Sequence, residues 1–149
     1  MDSVLIRQIG QSLELAGKRL QIELYENGPI TTALGDPDQL RRVFENLMRN
    51  AWEAAGDGGR LRVDVSNVKN RRVAVRLEDN GPGIPATDVP ELFKPFYTAK
   101  PGGTGLGLAL VHRIVEAHQG EISVEGRPGI GAAFTVILPA ASDAAAELA

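Results

Sequence analysis

Three clusters of glycine after Glu78 restrict what this chain can fold into more than any other feature. Seventeen glycines stand against seven aromatic residues, and glycine gathered this way marks loops where backbone must approach something closely. Such loops need a scaffold, and 149 residues lie within the size of one compact domain that buries a real core without staples. The absence of cysteine excludes disulfides and thiolate-metal sites, and the two histidines make no metal site. No apolar run approaches the ~20 residues that span a bilayer, and Met1-Asp2-Ser3 lacks the basic and apolar regions of a signal peptide, so a cytoplasmic location without membrane contact is expected. A net charge of −3, with arginines scattered among acids, argues against a nucleic-acid surface.

Along the chain, Val4, Leu5, Ile9, Leu13 and Ala16 fall near the helical period and predict an amphipathic helix from Val4 to Lys18. Leu20, Ile22 and Leu24 alternate with polar residues before Asn27-Gly28-Pro29, and a short extended piece reaches Leu34; these predict two strands joined by a turn. Asp36-Pro37-Asp38-Gln39 resembles a helix start, with Asp36 as N-cap, Pro37 at the first helical position and Gln39 placed to reach back like a capping box. That helix should run to about Ala55 and end at Gly56-Asp57-Gly58-Gly59. Alternation at Leu61, Val63 and Val65, and again at Val73, Val75 and Leu77, predicts a hairpin. A Pro- and Gly-rich stretch from Gly81 to Gly103 precedes a helix from about Thr104 to His118. Strands at Glu121 to Glu125 and Ala132 to Leu138 follow, joined by a turn holding Gly126, Pro128, Gly129 and Gly131. Pro139 closes a domain of residues 1–139 before a flexible alanine-rich tail, 140–149. This order predicts an α+β class: a two-layer α/β sandwich, its mixed, largely antiparallel sheet covered on one face by about three helices.

Candidate chemistry falls on three segments. Asn46, Asn50 and Glu53 share one face of the second helix, opposite the stripe Leu40, Val43, Phe44, Leu47 and Ala51 that should pack on the sheet. They are either a solvated polar face or the wall of a cavity, where an amide oxygen is a reasonable donor at the edge of a magnesium ion that shares phosphate oxygens. Asp79-Asn80-Gly81-Pro82-Gly83-Ile84 follows a strand directly; its carboxylate could accept a hydrogen bond from an exocyclic amine, or the segment is an ordinary Asn-Gly turn. Gly102-Gly103-Thr104-Gly105-Leu106-Gly107-Leu108 opens a helix, where bare amides and the dipole suit phosphate oxygens, although such a segment also permits close packing. Its spacing is neither Walker A nor that of a Rossmann turn. Lys100, just upstream, could neutralise phosphate or be a solvated lysine.

Taken together and in this order, these segments resemble the histidine-kinase branch of the family that also holds DNA gyrase B, MutL and the ninety-kilodalton heat-shock chaperone. Asn46 to Ala51 looks like the N box, Asp79 to Gly83 the first glycine box, Leu92 to Thr98 the F box and Gly103 to Leu108 the second glycine box. Gly126 to Phe134 resembles the last glycine turn, so the likeness covers Val4 to Pro139. It implies that the chain binds Mg2+ and ATP and passes the γ-phosphoryl group to a histidine on a helical dimerisation and phosphoacceptor domain absent here. Asn50 is then the magnesium ligand and Asp79 the reader of the adenine amine. Asn46, Ala54, Gly81, Gly83, Ile84, Phe93, Thr98 and Lys100 join the ATP site, and Gly103, Thr104, Gly105, Leu106, Gly107 and Leu108 hold the phosphates. Phe93, Phe96 and Tyr97 belong to a lid, or pack their loop onto the sheet.

Three departures from the family pattern stand out. Glu53 replaces a frequent lysine, Ala132 replaces a frequent Thr or Ser near adenine, and only Thr98 to Gly102 separates the F box from the second glycine box. That short lid resembles the nitrogen-regulation class of sensor kinases and implies a response regulator of that type. The resemblance implies a monomeric isolated domain, a homodimeric full kinase and a full-length protein that can carry a membrane anchor. No His-Glu or His-Asp acceptor segment is present; His112 and His118 read as helix-surface or packing residues. The rivals are a gyrase-like ATPase, which needs a glutamate base where Asn46 stands, a serine kinase of the anti-sigma-factor type, and a nucleotide-binding regulatory module that transfers nothing.

Overall fold

The computed structural model describes residues 8–11, 17, 19–27, 33–95 and 107–140. Five strands form one sheet: β1 (Leu20–Asn27), β2 (Gly59–Val68), β3 (Arg72–Asp79), β4 (Glu121–Arg127) and β5 (Gly131–Pro139), in the order β1-β2-β3-β5-β4. β1 runs parallel to β2, and all other pairings are antiparallel. Two helices, α1 (Pro37–Ala55) and α2 (Gly107–Ala117), pack against the sheet and each other, and residues 8–11 are also helical. This is the expected mixed α+β sandwich.

Register explains the two-layer form. Leu24, Val63, Leu77, Phe134 and Val124 lie side by side across all five strands, one apolar row beneath the helices. With the two-residue period of a strand, Leu61, Val63, Val65, Val73, Val75, Leu77, Val136 and Leu138 share that face, and all are buried. The opposite face carries charge: Arg76 pairs with Glu78 and with Glu125, and Arg127 lies 3.3 Å from both carboxylates. These arginines hold Glu125 below its ordinary carboxylate range, the Arg127 hydrogen bond contributing most. Arg62 spans 2.9 Å to Asp64 and places its guanidinium 4.3 Å from the Tyr25 ring centre. A face built this way needs no second helical layer.

α1 starts where its sequence says it should. Asp36 is extended, and its carboxylate accepts from the amides of Asp38 (2.9 Å) and Gln39 (3.2 Å), with Pro37 in the first turn. The reciprocal arm of the box is different from expectation: the Asp36 amide donates to Nε2 of His118, 3.0 Å away, where Gln39 was expected to reach back. Leu40, Val43, Phe44, Leu47, Met48 and Ala51 bury the sheet-facing stripe, adding Met48 to the expected set. The helix ends at Gly56 (φ 78°), whose amide bonds the Trp52 carbonyl. Just beyond, the Asp57 carboxylate accepts from Trp52 Nε1 (2.7 Å) and from the Arg19 amide (3.2 Å), tying the start of β1 to the end of α1. The Trp52 hydrogen bond, then that of Arg19, holds Asp57 below its ordinary value.

One expected strand is not a full strand here. β1 extends to Asn27 and takes β2 as its parallel partner, while the piece ending at Leu34 shows only a bridge between Ala33 and Ala140; residues 28–32 lie outside the described residues. A parallel neighbour removes any need for a local hairpin, because the α1 crossover supplies the return. Ala140, placed in the tail by composition, is buried beside Ala33, and its amide donates to the Arg71 carbonyl.

Candidate functional site

At one end of the inner face the apolar alternation of β3 is broken by a charge. Val73, Val75 and Leu77 point toward the helices, and Asp79 takes the next inward position. It is 7% exposed, the one buried polar or charged residue among those described. Burying a carboxylate is costly unless its oxygens are engaged. Asp79 Oδ1 accepts from the Gly81 amide at 2.9 Å and from the Ala132 amide at 3.3 Å, so the loop after β3 and the start of β5 both orient it.

Glycine is what lets these segments meet. A Cβ on Gly131 (φ 152°) would strike the Asp79 carbonyl oxygen, and one on Gly83 (φ 83°) the carbonyl oxygen of Arg127. Either side chain would therefore push the Asp79 loop away from the β4–β5 turn. A Cβ on Gly81 would stand 2.9 Å from the Ala54 carbonyl, so the same loop is seated on the last turn of α1. Ile84 packs on the core, and its carbonyl lies against Gly126. Asn80 does local work: its Oδ1 accepts the Arg60 amide at 2.8 Å and fixes the start of β2. A shallow depression here is lined by Glu78, Asp79, Arg127, Ile130, Gly131 and Ala132.

α1 carries the paired asparagines. Asn46 and Asn50 are both half-buried, away from the Leu47 stripe. Asn46 Nδ2 donates to the Arg42 carbonyl at 2.8 Å, and its Oδ1 lies 3.2 Å from where a Cβ on Gly107 would stand. The first residue of α2 therefore abuts Asn46. Gly107 and Leu108 open α2 here, Leu108 packing on the core. Thr98, Lys100, Gly103, Thr104, Gly105 and Leu106, with Phe96 and Tyr97, lie outside the described residues.

Phe93 has two ring contacts in this structure. Its ring stacks on His112 (centroids 5.4 Å, 28°) and meets Phe134 edge-on (6.4 Å, 79°), so it packs its loop onto α2 and β5. His112 also lies 3.2 Å from Glu116. The His112 and Phe134 contacts were not foreseeable, since no spacing joins positions 93, 112 and 134. As for a metal, no group of three His, Asp or Glu among the described residues forms a cage. The donor chemistry suits an ion that takes one amide oxygen from Asn50 and its other ligands from phosphate and water.

A sandwich with a buried carboxylate between glycine turns, its loop seated on the last turn of a helix that carries paired asparagines, suits a nucleotide-binding fold. Residues 35–142 match the family of histidine kinase-, DNA gyrase B-, and HSP90-like ATPases, and the chain belongs to that family. Its relatives place it in the histidine-kinase branch, as an ATP-binding catalytic domain. It is 38% identical over 130 residues to sporulation kinase E of Bacillus subtilis, covering 87% of this chain and 17% of that protein. It is 44% identical over 104 residues to the signal transduction histidine-protein kinase AtoS of Escherichia coli, covering 70% and 17% respectively. Among solved structures, the catalytic domain of histidine kinase ThkA superposes with a TM-score of 0.81 at 29% identity, covering 93% of this chain and 91% of that one. Full-length ShkA in complex with AMPPNP gives 0.83 at 29% identity, covering 94% of this chain and 30% of that one. The chain thus spans about a sixth of the two curated relatives.

Proposed function

We propose that this domain binds Mg-ATP between α1 and the Asp79 end of the sheet and delivers the γ-phosphoryl group to a histidine on a separate helical dimerisation and phosphoacceptor domain. The observation that carries the reading is Asp79, a buried carboxylate oriented by the amides of Gly81 and Ala132 at an end of the sheet lined by close-packed glycines. It would accept the hydrogen bond of the adenine amine, with Gly81, Gly83, Ile84 and Ala54 shaping the surround. Asn46 and Asn50 would face the phosphates with Gly103 to Leu108, and Thr98 and Lys100 would close over them. Asn50 would hold the magnesium ion, which neutralises phosphate charge when bound. Positioning and charge then do most of the catalysis: the acceptor imidazole attacks the γ-phosphorus as the bond to ADP breaks.

Asn46 bears on the rivals. An amide cannot take a proton from water, and this one already donates to the Arg42 carbonyl, so a gyrase-like hydrolase is disfavoured. Beyond the acceptor domain, a response regulator is the expected partner, of the nitrogen-regulation type if the short lid between Thr98 and Gly102 carries that resemblance. No helix among the described residues is long and apolar enough to cross a membrane. Incubation of the domain with labelled ATP and a cognate helical hairpin should place acid-labile, base-stable phosphate on the hairpin. Label on serine of an anti-anti-sigma partner, or ATP binding with no transfer to any hairpin, would favour the rivals.

A further inference from the structure

α1 and α2 meet at two places, and the two are matched in length. Near the site, Asn46 abuts Gly107; at the far end, the Asp36 amide donates to His118 Nε2 at 3.0 Å. Asp36 to Asn46 and Gly107 to His118 each span about 15–17 Å of helix at 1.5 Å per residue, so the helices run in opposite directions and are pinned at both ends. The far pin has a defined chemistry. An amide can only donate, so Nε2 is bare; Nδ1 lies 2.8 Å from the Ile114 carbonyl, which can only accept, so Nδ1 carries the proton. The ring is held by α2 itself and offers one acceptor to the first residue of the other helix's cap. Gly35 completes the seat: a Cβ there would stand 2.6 Å from His118 Cδ2.

We propose that His118 is a positioning residue of the nucleotide site, a neutral Nδ1–H latch that sets the slide of α2 along α1. It thereby sets where Gly107, at the start of α2, stands relative to Asn46. The sheet-borne Asp79 is outside its reach. This rests on the nucleotide reading above and adds to it a control on the phosphate half of the site. Loss of the latch should weaken binding of the triphosphate while leaving recognition of the base.

The test compares ATP and adenosine titrations of the 149-residue chain, well below its melting temperature, for wild type, His118→Phe, His118→Gln and Gly35→Ala. Phenylalanine fills the ring volume without an acceptor, and alanine at 35 displaces the ring from the other side. Both should lower ATP affinity about tenfold, one hydrogen bond's worth of misplaced phosphate contact, with adenosine affinity held within about twofold. Glutamine, whose Oε1 can accept from the Asp36 amide, should restore most of the ATP affinity. Independently, the imidazole 15N spectrum of the wild type should show His118 protonated at Nδ1 only; the reverse tautomer overturns the latch. So does an ATP-to-adenosine ratio unchanged in His118→Phe and Gly35→Ala, whatever their melting temperatures. If His118→Phe does not fold, Gly35→Ala and the spectrum decide. A wild-type chain that binds neither ligand refutes the nucleotide reading itself, whereas binding indifferent to the latch refutes only the latch.

Discussion

At the scale of single residues, the two faces of the proposed site can be separated by substitution. Asp79→Asn keeps an oxygen for the amides of Gly81 and Ala132 but loses the charge, so the fold should persist while ATP affinity falls. A charge-assisted hydrogen bond is worth about 1.5–3 kcal/mol, or roughly one to two decades in dissociation constant. An unchanged calorimetric isotherm would remove Asp79 from the base site. Asn50→Ala should act differently, reducing the magnesium-dependent part of ATP affinity far more than adenosine affinity. Equal losses for both ligands would mean a folding defect. Away from the site, Asp57 links Trp52 and Arg19, and its folded pKa is depressed chiefly by the Trp52 hydrogen bond. A depressed carboxylate contributes stability above its unfolded pKa and loses it as pH falls through the folded one. Asp57→Asn should therefore melt lower than wild type at neutral pH, and the gap should close on acidification below the ordinary carboxylate range; a constant gap would refute the linkage.

At the scale of elements, magnitude separates the two faces of the sheet. Leu47 on α1 is 2% exposed in the core, and Leu47→Ala should cost about 2–5 kcal/mol in denaturant unfolding, the removed methyls plus the cavity left behind. Arg76 on the open face has two ion-pair partners, yet Arg76→Ala should cost no more than about 1 kcal/mol because those pairs are solvated. Comparable costs would mean that the charged face is covered. The same contrast explains which elements sequence alone could supply. β2, β3 and β5 alternate with period two because one face is buried and the other wet, and the cap at Asp36 is chemically explicit. The parallel pairing of β1 with β2 leaves no local signal, since the partners are separated by all of α1. The His118 bond to Asp36 crosses 82 residues and the Phe93 stack joins a loop to a helix, so neither has a spacing to read. For the candidate site, Asp79 and its glycines were legible as a carboxylate and a turn directly after an apolar strand, and their seat on Ala54 was not, because that needed the tertiary path of α1.

At the scale of the whole molecule, the question is whether this domain can label or hydrolyse on its own. Water attack needs a base, and at the position one turn before Asn50 stands Asn46, whose amide is spent on the Arg42 carbonyl. Self-labelling needs a free imidazole, and the chain has two histidines. His118 has one ring nitrogen against the Ile114 carbonyl and the other accepting the Asp36 amide, so phosphorylation at either would break a helix contact. His112 has its ring face on Phe93 and Nε2 3.2 Å from Glu116, a carboxylate that would repel an incoming phosphoryl group. Binding and chemistry should therefore come apart in the isolated domain. Incubated with labelled ATP and magnesium, it should retain nucleotide at equilibrium, release phosphate slowly and carry no acid-labile label. Rapid turnover by the domain alone would require a base other than Asn46, and phosphohistidine mapped to His112 or His118 would require one of these packed rings to leave its partners.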